Sequence, residues 1–265
     1  MYQFNYTKAG SQDDAISAAG SAEDPKFLAG GMTLIPTLKQ RLAQPSDLID
    51  LAGIDGLVGI TDNGDSITIG AMTRHVDVAN SDLVKNKIPA LASLASHIGD
   101  PQVRNRGTIG GSIANNDPAA DYPAAVLGLN ATIVTNKREI AADDFFDGLF
   151  TTALEEDELL TAVKFPVADK AGYAKFPNPA SRYALVGVMV AQTGGETRVA
   201  VTGASQDGVF RASDIESALS GNWSADAAKG VKMSDDGLNT DIHASAEYRA
   251  HLISVMASRA VTAAG

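Results

Sequence analysis

Two hydrophobic spacings alternate along this chain, period 2 and period near 3.6, and their order predicts a mixed α+β protein. Tyr2 to Tyr6 alternates aromatic and polar residues, which predicts a short strand. Ser11 with Asp14 three positions on resembles a capping box and predicts a helix over 12–19. Lys26-Phe27-Leu28 reads as a short strand. Leu34, Leu38 and Leu42 then recur at a spacing of four, a helical face with Pro36 tolerated in its first turn. Asp47 to Leu51 predicts another strand. The runs 57–61 and 66–70 flank Asp62-Asn63-Gly64-Asp65 and predict a hairpin. Leu91, Leu94, Ala95 and Ile98 share one face of a helix over 88–98, which Asp100-Pro101 ends.

Further along, the pattern predicts a helix over 122–129, a hairpin through Ile133 and Ile140 turning at Asn136-Lys137, and a strand over 159–167. Residues 169–178 are largely polar with a glycine and a proline, and mark a domain boundary. Beyond it lie a near-continuous apolar strand (184–191), a Gly194-Gly195 turn and a second strand (197–202). Ser213 and Glu216 have capping-box spacing, Ser224 and Ser245 are further caps, and 246–262 carries Tyr248, Leu252, Val255 and Met256 on one face. The C-terminal third thus reads as a small antiparallel sheet with several helices.

Two stretches follow neither period: Ala29-Gly30-Gly31-Met32-Thr33-Leu34, and the longer run from Arg104 to Asp121 containing Gly107-Thr108-Ile109-Gly110-Gly111-Ser112. Glycines so placed can reach positive φ, bend backbone N–H groups around an anion and let it approach closely. A helix starting after the first loop would add its partial positive charge. The pattern is neither the G-x-G-x-x-G fingerprint nor a Walker loop. An isolated Gly-Gly is equally a tight turn, so the residues alone leave a pyrophosphate cradle and a packed turn both open. Asp121 can satisfy first-turn amides or accept from a ribose diol, and Asp117 before Pro118 can simply form a turn. Lys175 reads as a surface strand lysine and Tyr183 as core, with an alternative role at a flavin edge. Gly110-Gly111-Ser112-Ile113-Ala114 approximates a nucleophile elbow, so a serine hydrolase on Ser112 is a rival reading.

Composition narrows these options. The 265 residues have room for two domains, and 45% hydrophobic with 20% charged residues describes a globular protein with a sizeable core. A net charge of −11 argues against nucleic acid or an anionic membrane as partner, yet not against an anionic cofactor held by backbone amides. With no cysteine, the chain offers no thiolate nucleophile and no ligand for a cysteine-bound iron–sulfur cluster. Its four histidines lack helical metal spacing. No apolar run suggests a membrane span and the first residues lack a signal-peptide pattern, so the expectation is cytoplasmic.

Taken together, Ala29-Gly30-Gly31-Met32-Thr33-Leu34-Ile35-Pro36 and Arg104-Asn105-Arg106-Gly107-Thr108-Ile109-Gly110-Gly111-Ser112 resemble the paired FAD-binding motifs of the medium, flavoprotein subunit of molybdenum hydroxylases. Carbon monoxide dehydrogenase and xanthine dehydrogenase belong to that family. The resemblance continues through Asp117 to Pro123, Phe145-Phe146, Leu154 to Leu160, Arg182 to Gly187 and Glu247 to Leu252, nearly the whole chain in order. It implies a two-part FAD-binding domain of the PCMH type, vanillyl-alcohol-oxidase-like, over 1–168 (subdomains about 1–52 and 53–168), then a C-terminal domain over 172–265. It further implies that Leu28, Ala29, Gly30, Gly31, Met32, Thr33, Leu34 and Ile35, with Gly107, Thr108, Ile109, Gly110, Gly111 and Ser112, embrace the FAD pyrophosphate. Asn115 and Asp121 would lie beside the adenosine ribose and flavin chain, Leu160 on the adenine side and Lys175 near the flavin. Family members often have serine where this chain has Thr33, and histidine or threonine at Asn115.

By the same resemblance, the molybdenum cofactor sits on a large partner subunit and two two-iron clusters on a small one, with a dimer of heterotrimers as the assembly. This chain would be an oxidoreductase subunit passing electrons through FAD to an external acceptor, with no catalytic side chain of its own. A scaffold subunit without flavin is the remaining alternative. The intact glycine loops speak against it.

Overall fold

Helices separate the first three strands, and such crossovers make their sheet parallel. In the computed structural model, which describes residues 1–265, β1 (Asn5–Lys8), α1 (Gln12–Gly20), β2 (Pro25–Leu28), α2 (Leu34–Lys39) and β3 (Asp47–Asp50) follow in order. Strand β3 lies between β1 and β2 and runs parallel to both, with Tyr6 opposite Leu48 and Phe27 opposite Ile49. Ser11 caps α1 by accepting from Asp14 N–H, as its spacing predicts. Two expectations shift here. The Tyr2–Tyr6 alternation lies mostly ahead of β1, whose side chains are all exposed; Tyr6 donates to Asp50 at 2.6 Å. Helix α2 ends early because Arg41 turns left-handed (φ 59°), so Leu38 is buried while Leu42 stays 74% exposed.

The second sheet forms around a run of short helices. After the hairpin β4 (Ile60–Asp62) and β5 (Ser66–Gly70) come α3 (His75–Asn80), α4 (Asp82–Lys87), α5 (Pro89–Ser96), α6 (Pro101–Arg104), α7 (Ile109–Asn115) and α8 (Tyr122–Gly128). Strands β6 (Thr132–Thr135), β7 (Glu139–Ala141) and β8 (Leu160–Pro166) complete an antiparallel sheet in the order β4-β5-β8-β6-β7. Ile67, Ile69, Ile133, Val163 and Phe165 from this sheet pack with Leu91, Leu94 and Val126 from α5 and α8 in the largest core cluster. Asp100-Pro101 does more than end α5: Asp100 accepts from Val103 N–H at 2.8 Å and starts α6. Helices α3 and α4 escape the periodicity because each is six residues long, and α4 buries only Val84.

The third sheet is antiparallel, β12-β11-β10-β9. It contains β9 (Lys170–Pro177), β10 (Ala184–Thr193), β11 (Glu196–Thr202) and β12 (Phe210–Arg211), with α9 (Ser213–Gly221), α10 (Ala225–Gly230) and α11 (Ala246–Ala264) following. The polar stretch 169–178 forms β9, the edge strand with which the third sheet begins: α11 covers it, and a Cβ on Gly172 would overlap the Ala260 carbonyl. Ser224 and Ser245 cap α10 and α11 as expected. Ser213 does not cap α9; Ala212 is its N-cap, and Glu216 accepts from Val199 N–H and from Arg211 instead. Tyr173, Met189, Ala191 and Ala200 of this sheet belong to the same cluster as the α5 and α8 residues, so the apolar core runs on between the second and third sheets.

One buried cation ties α11 to the sheet. Arg249 donates to the carbonyls of Leu185 (2.7 Å) and Gly203 (3.0 Å) and pairs with Asp241 at 2.7 Å. Replacing Arg249 with Leu strips both carbonyls of their donor, and we expect a loss of about 3 kcal/mol in urea unfolding. A surface lysine variant such as Lys229→Leu should change stability by less than about 0.5 kcal/mol.

Candidate functional site

The site begins where β2 runs out of partners. Past Leu28 the chain turns through residues 29–33 into α2, and none of these five backbone N–H groups has a protein acceptor. Gly31 makes the turn possible with φ 71°, a left-handed value that glycine adopts without strain. Consecutive unpaired amides of this kind form an anion nest. A Cβ on Gly30 would overlap the carbonyl of Arg106, so the two glycine stretches touch at this point.

The second stretch is a helix start rather than an open loop. Thr108 caps α7, its hydroxyl accepting from Gly111 N–H at 3.2 Å. Gly107, Gly110 and Gly111 all lack a positive φ, which corrects the expectation that left-handed backbone explains them. Close packing explains two of them instead. A Cβ on Gly110 would lie 2.6 Å from the Ala71 Cβ, and one on Gly107 would lie 2.5 Å from His75 Nε2. Gly110 N–H is itself spent on Ala71 O at 2.8 Å. A Cβ on Gly111 would lie 2.9 Å from the Thr108 hydroxyl that caps the helix and 3.4 Å from Ala29 across the gap.

Between the two stretches lies a cavity of about 420 Å³. Ala29, Gly30, Gly31, Met32, Thr33, Leu34, Gly107, Thr108, Gly110, Gly111, Ser112, Asn115, Asp121 and Leu160 all line it. Leu28 and Ile35 pack beneath Gly31, and Ile109 is fully buried, so these three stand behind the lining. Lys175 is no surface residue: its side chain is 5% exposed and pairs with Asp121 at 2.8 Å from outside the cavity. Asp121 makes no side-chain cap to α8. Its carboxylate accepts from Lys175 and from the Tyr173 phenol. Burial pushes its pKa up, opposed by Lys175, by the Tyr173 hydrogen bond and by His97.

Sequence reasoning missed several lining residues. Tyr183, read as core with an alternative role at a flavin edge, is 44% exposed and lines the cavity, which corrects the core reading. Its phenol pKa is raised by burial and by Asp117 and Asp121, with the Thr33 hydroxyl acting the other way. Asp117 is likewise raised, by burial against the hydrogen bond from Ala119 N–H. His75 is buried beside Tyr122, ring centroids 5.3 Å apart, and neither His75 Nδ1 nor the Tyr122 hydroxyl has a partner. Burial, helped by Arg104, lowers the His75 pKa to about 4. Glu158 lines the far side, where Arg138 holds its pKa down at about 2. No local pattern marks a histidine or tyrosine that the tertiary fold brings to a wall.

Ser112 lies within α7, one turn after its cap and with no strand leading into it, so the elbow geometry of a serine hydrolase is absent. No three His, Asp or Glu side chains cluster to hold a metal ion. No helix is long and apolar enough to cross a membrane.

Comparisons with known proteins agree with this geometry. The model of the FAD binding domain in molybdopterin dehydrogenase matches residues 2–168. The nicotine 6-hydroxylase medium subunit of Paenarthrobacter nicotinovorans is 35% identical over 98% of this chain and 96% of its own length. The carbon monoxide dehydrogenase medium chain of Hydrogenophaga pseudoflava is 34% identical over 99% and 97%. Among solved structures, reconstituted CO dehydrogenase from Oligotropha carboxidovorans superposes with a TM-score of 0.89 at 33% identity, covering 99% of this chain and 98% of that one.

The geometry generates two stability predictions. Gly110→Val drives a branched side chain into Ala71, and we expect it to cost about 3 kcal/mol or more by chemical denaturation. His75 has a folded pKa near 4 against an unfolded value near 6.5, so the unfolded chain binds the extra proton between them. Stability should fall by about 3 kcal/mol as pH drops from 6.5 to 4, and His75→Leu should remove that part of the slope in a pH series of melts.

Proposed function

Because this chain belongs to the FAD-binding medium subunits of the molybdenum hydroxylases, we propose that it carries electrons from iron–sulfur clusters on a partner subunit to an external acceptor. The residues fit that cofactor. Five unpaired amides at 29–33 lie across one cavity from the hydroxyls of Thr108 and Ser112, a donor set suited to a pyrophosphate in a strongly acidic chain. That observation carries the reading. When bound, FAD supplies the redox chemistry, taking up and giving up electrons.

This chain's own residues bind and orient. The amides of 29–33 and the hydroxyls of Thr33, Thr108 and Ser112 would hold phosphate oxygens, with Leu28, Ile35 and Ile109 keeping both stretches in place from behind. Leu160 with its neighbours Leu154 and Leu159 offers an apolar wall for the adenine. Asn115 and Asp121 would stand beside the ribose and flavin chain, and Lys175 would act near the flavin while neutralising Asp121. Tyr183 at the opening would shield the bound ring from water. The chain divides functionally into an FAD domain over 1–168, itself split near residue 52, and a C-terminal domain over 172–265.

The partners we propose are a large molybdopterin subunit and a small iron–sulfur subunit, assembled as a dimer of heterotrimers in the cytoplasm. Substrate chemistry would then belong to the large subunit. Medium subunits named for nicotine and for carbon monoxide oxidation resemble this chain almost equally, which fits that division.

Titrating the purified chain with FAD should produce a bound flavin spectrum, a quenched flavin fluorescence and a raised melting temperature. A chain that stays colourless with an unchanged melt refutes the reading. Gly30→Ala, which pushes the two stretches apart at Arg106, should weaken FAD by at least about tenfold.

A further inference from the structure

Asp121 reaches the cavity wall with both carboxylate oxygens engaged from the far side. Lys175 Nζ donates to one at 2.8 Å and the Tyr173 phenol donates to the other. Both donors stand two residues apart on β9, hence on the same face of the third sheet, and neither lines the cavity. The sheet makes room for the phenol. Gly187 on the neighbouring strand β10 pairs with Lys175, and a Cβ there would collide with the Tyr173 hydroxyl.

The same notch secures the backbone leading to Asp121. Thr202 Oγ1 donates to Ala120 O at 2.6 Å, and Gly203 N–H donates to Pro118 O at 2.8 Å. The Thr202 methyl would lie 2.9 Å from the Cβ that Gly187 lacks. Strands β9, β10 and β11 thus converge on the single segment 117–121, which forms one wall of the cavity.

We propose that Tyr173 is a positioning residue for the flavin: its phenol clamps the Asp121 carboxylate in the rotamer and charge state that the bound isoalloxazine and its side chain meet. The proposal rests on the FAD reading above. An aspartate held only by Lys175 would be free to swing about its Cα–Cβ bond, because a lysine ammonium is a point donor on a flexible stem. The phenol is a rigid donor from a ring fixed in the core, 7% exposed as a whole residue. Together they fix two oxygens and leave one orientation.

The test uses the full chain and FAD. Wild-type protein failing to bind FAD would refute the site reading itself. With wild-type binding established, Tyr173→Phe should keep the fold, since only a hydroxyl is lost. It should weaken FAD by about tenfold, the equivalent of one hydrogen bond to a charged group. It should also shift the visible flavin spectrum and the midpoint potential, which a purely structural tyrosine would leave alone. Thr202→Val acts on the backbone instead, and should weaken FAD with a smaller spectral change. Should Tyr173→Phe lose its cooperative melt, Gly187→Ala is the second probe, displacing the phenol while keeping it. Wild-type affinity, spectrum and potential in a folded Tyr173→Phe or Gly187→Ala protein would overturn the proposal.

Discussion

The steric contact between Gly30 and the carbonyl of Arg106 sets the geometry on which the rest of the site depends. Any side chain at position 30 would separate the first sheet's loop from the stretch leading into α7. With hydrogen there, the two approach closely enough for one ligand to span them. Gly110 extends the same logic on the other side, seating α7 against Ala71 at the end of β5. The cavity is therefore the gap left when three backbone segments pack at near-minimal distance, and its walls are set by rigid elements rather than by adaptable side chains.

That origin explains the chemistry of the walls. Amides 29–33 have lost the strand ladder of β2 and have not yet entered the hydrogen bonding of α2, so they stand unpaired in residues that line the gap. The third sheet contributes from the opposite side by charge. Burying Asp121 raises its pKa, and the Lys175 ammonium and Tyr173 phenol offset that cost at the same carboxylate. Removing one partner leaves the other group buried without its complement, which is the expensive way to break such a pair. The C-terminal sheet is thus part of the site although none of its strand residues touches the cavity; only Ser181, Arg182 and Tyr183, in the connection between β9 and β10, do so.

Much of this was legible in the sequence. Hairpins turning at Asn63-Gly64 and Gly194-Gly195, the caps at Ser11, Ser224 and Ser245, and helices α5, α8 and α11 follow from local rules and are present. Local rules failed where tertiary packing decides. Strand β9 reads as a polar boundary because its local composition hides its pairing with β10 and its cover by α11, so Lys175 looks exposed when it is a buried ion. Leu42 continues a perfect spacing of four, yet Arg41 leaves the helix before it. The glycines of the second stretch stand out in the sequence, and Gly107, Thr108, Gly110, Gly111, Ser112, Asn115 and Asp121 line the cavity with Ile109 buried behind them. Positive φ is not their reason: Gly107 and Gly110 are needed for close approach to protein, and within the two stretches only Gly31 is needed for its φ.

The distinction between those two uses of glycine bears on how an acidic protein can hold an anionic cofactor. Lysines around a pyrophosphate would be exposed to competition from the surplus of carboxylates on a chain of net charge −11. Backbone amides carry no net charge, cannot be drawn away into surface ion pairs and are oriented by the fold itself. Three of the cationic groups near the cavity are already committed, Lys175 to Asp121, Arg138 to Glu158 and Lys26 to Asp24, which leaves Arg182 as a lining cation outside any ion pair. Backbone anion binding here therefore falls to the amides of 29–33, because the N–H groups of Ile109, Gly110 and Gly111 in α7 are spent on Thr73, Ala71 and Thr108. The two glycine stretches that stood apart from every period in the sequence are the part of the chain where side-chain pattern matters least and backbone placement matters most.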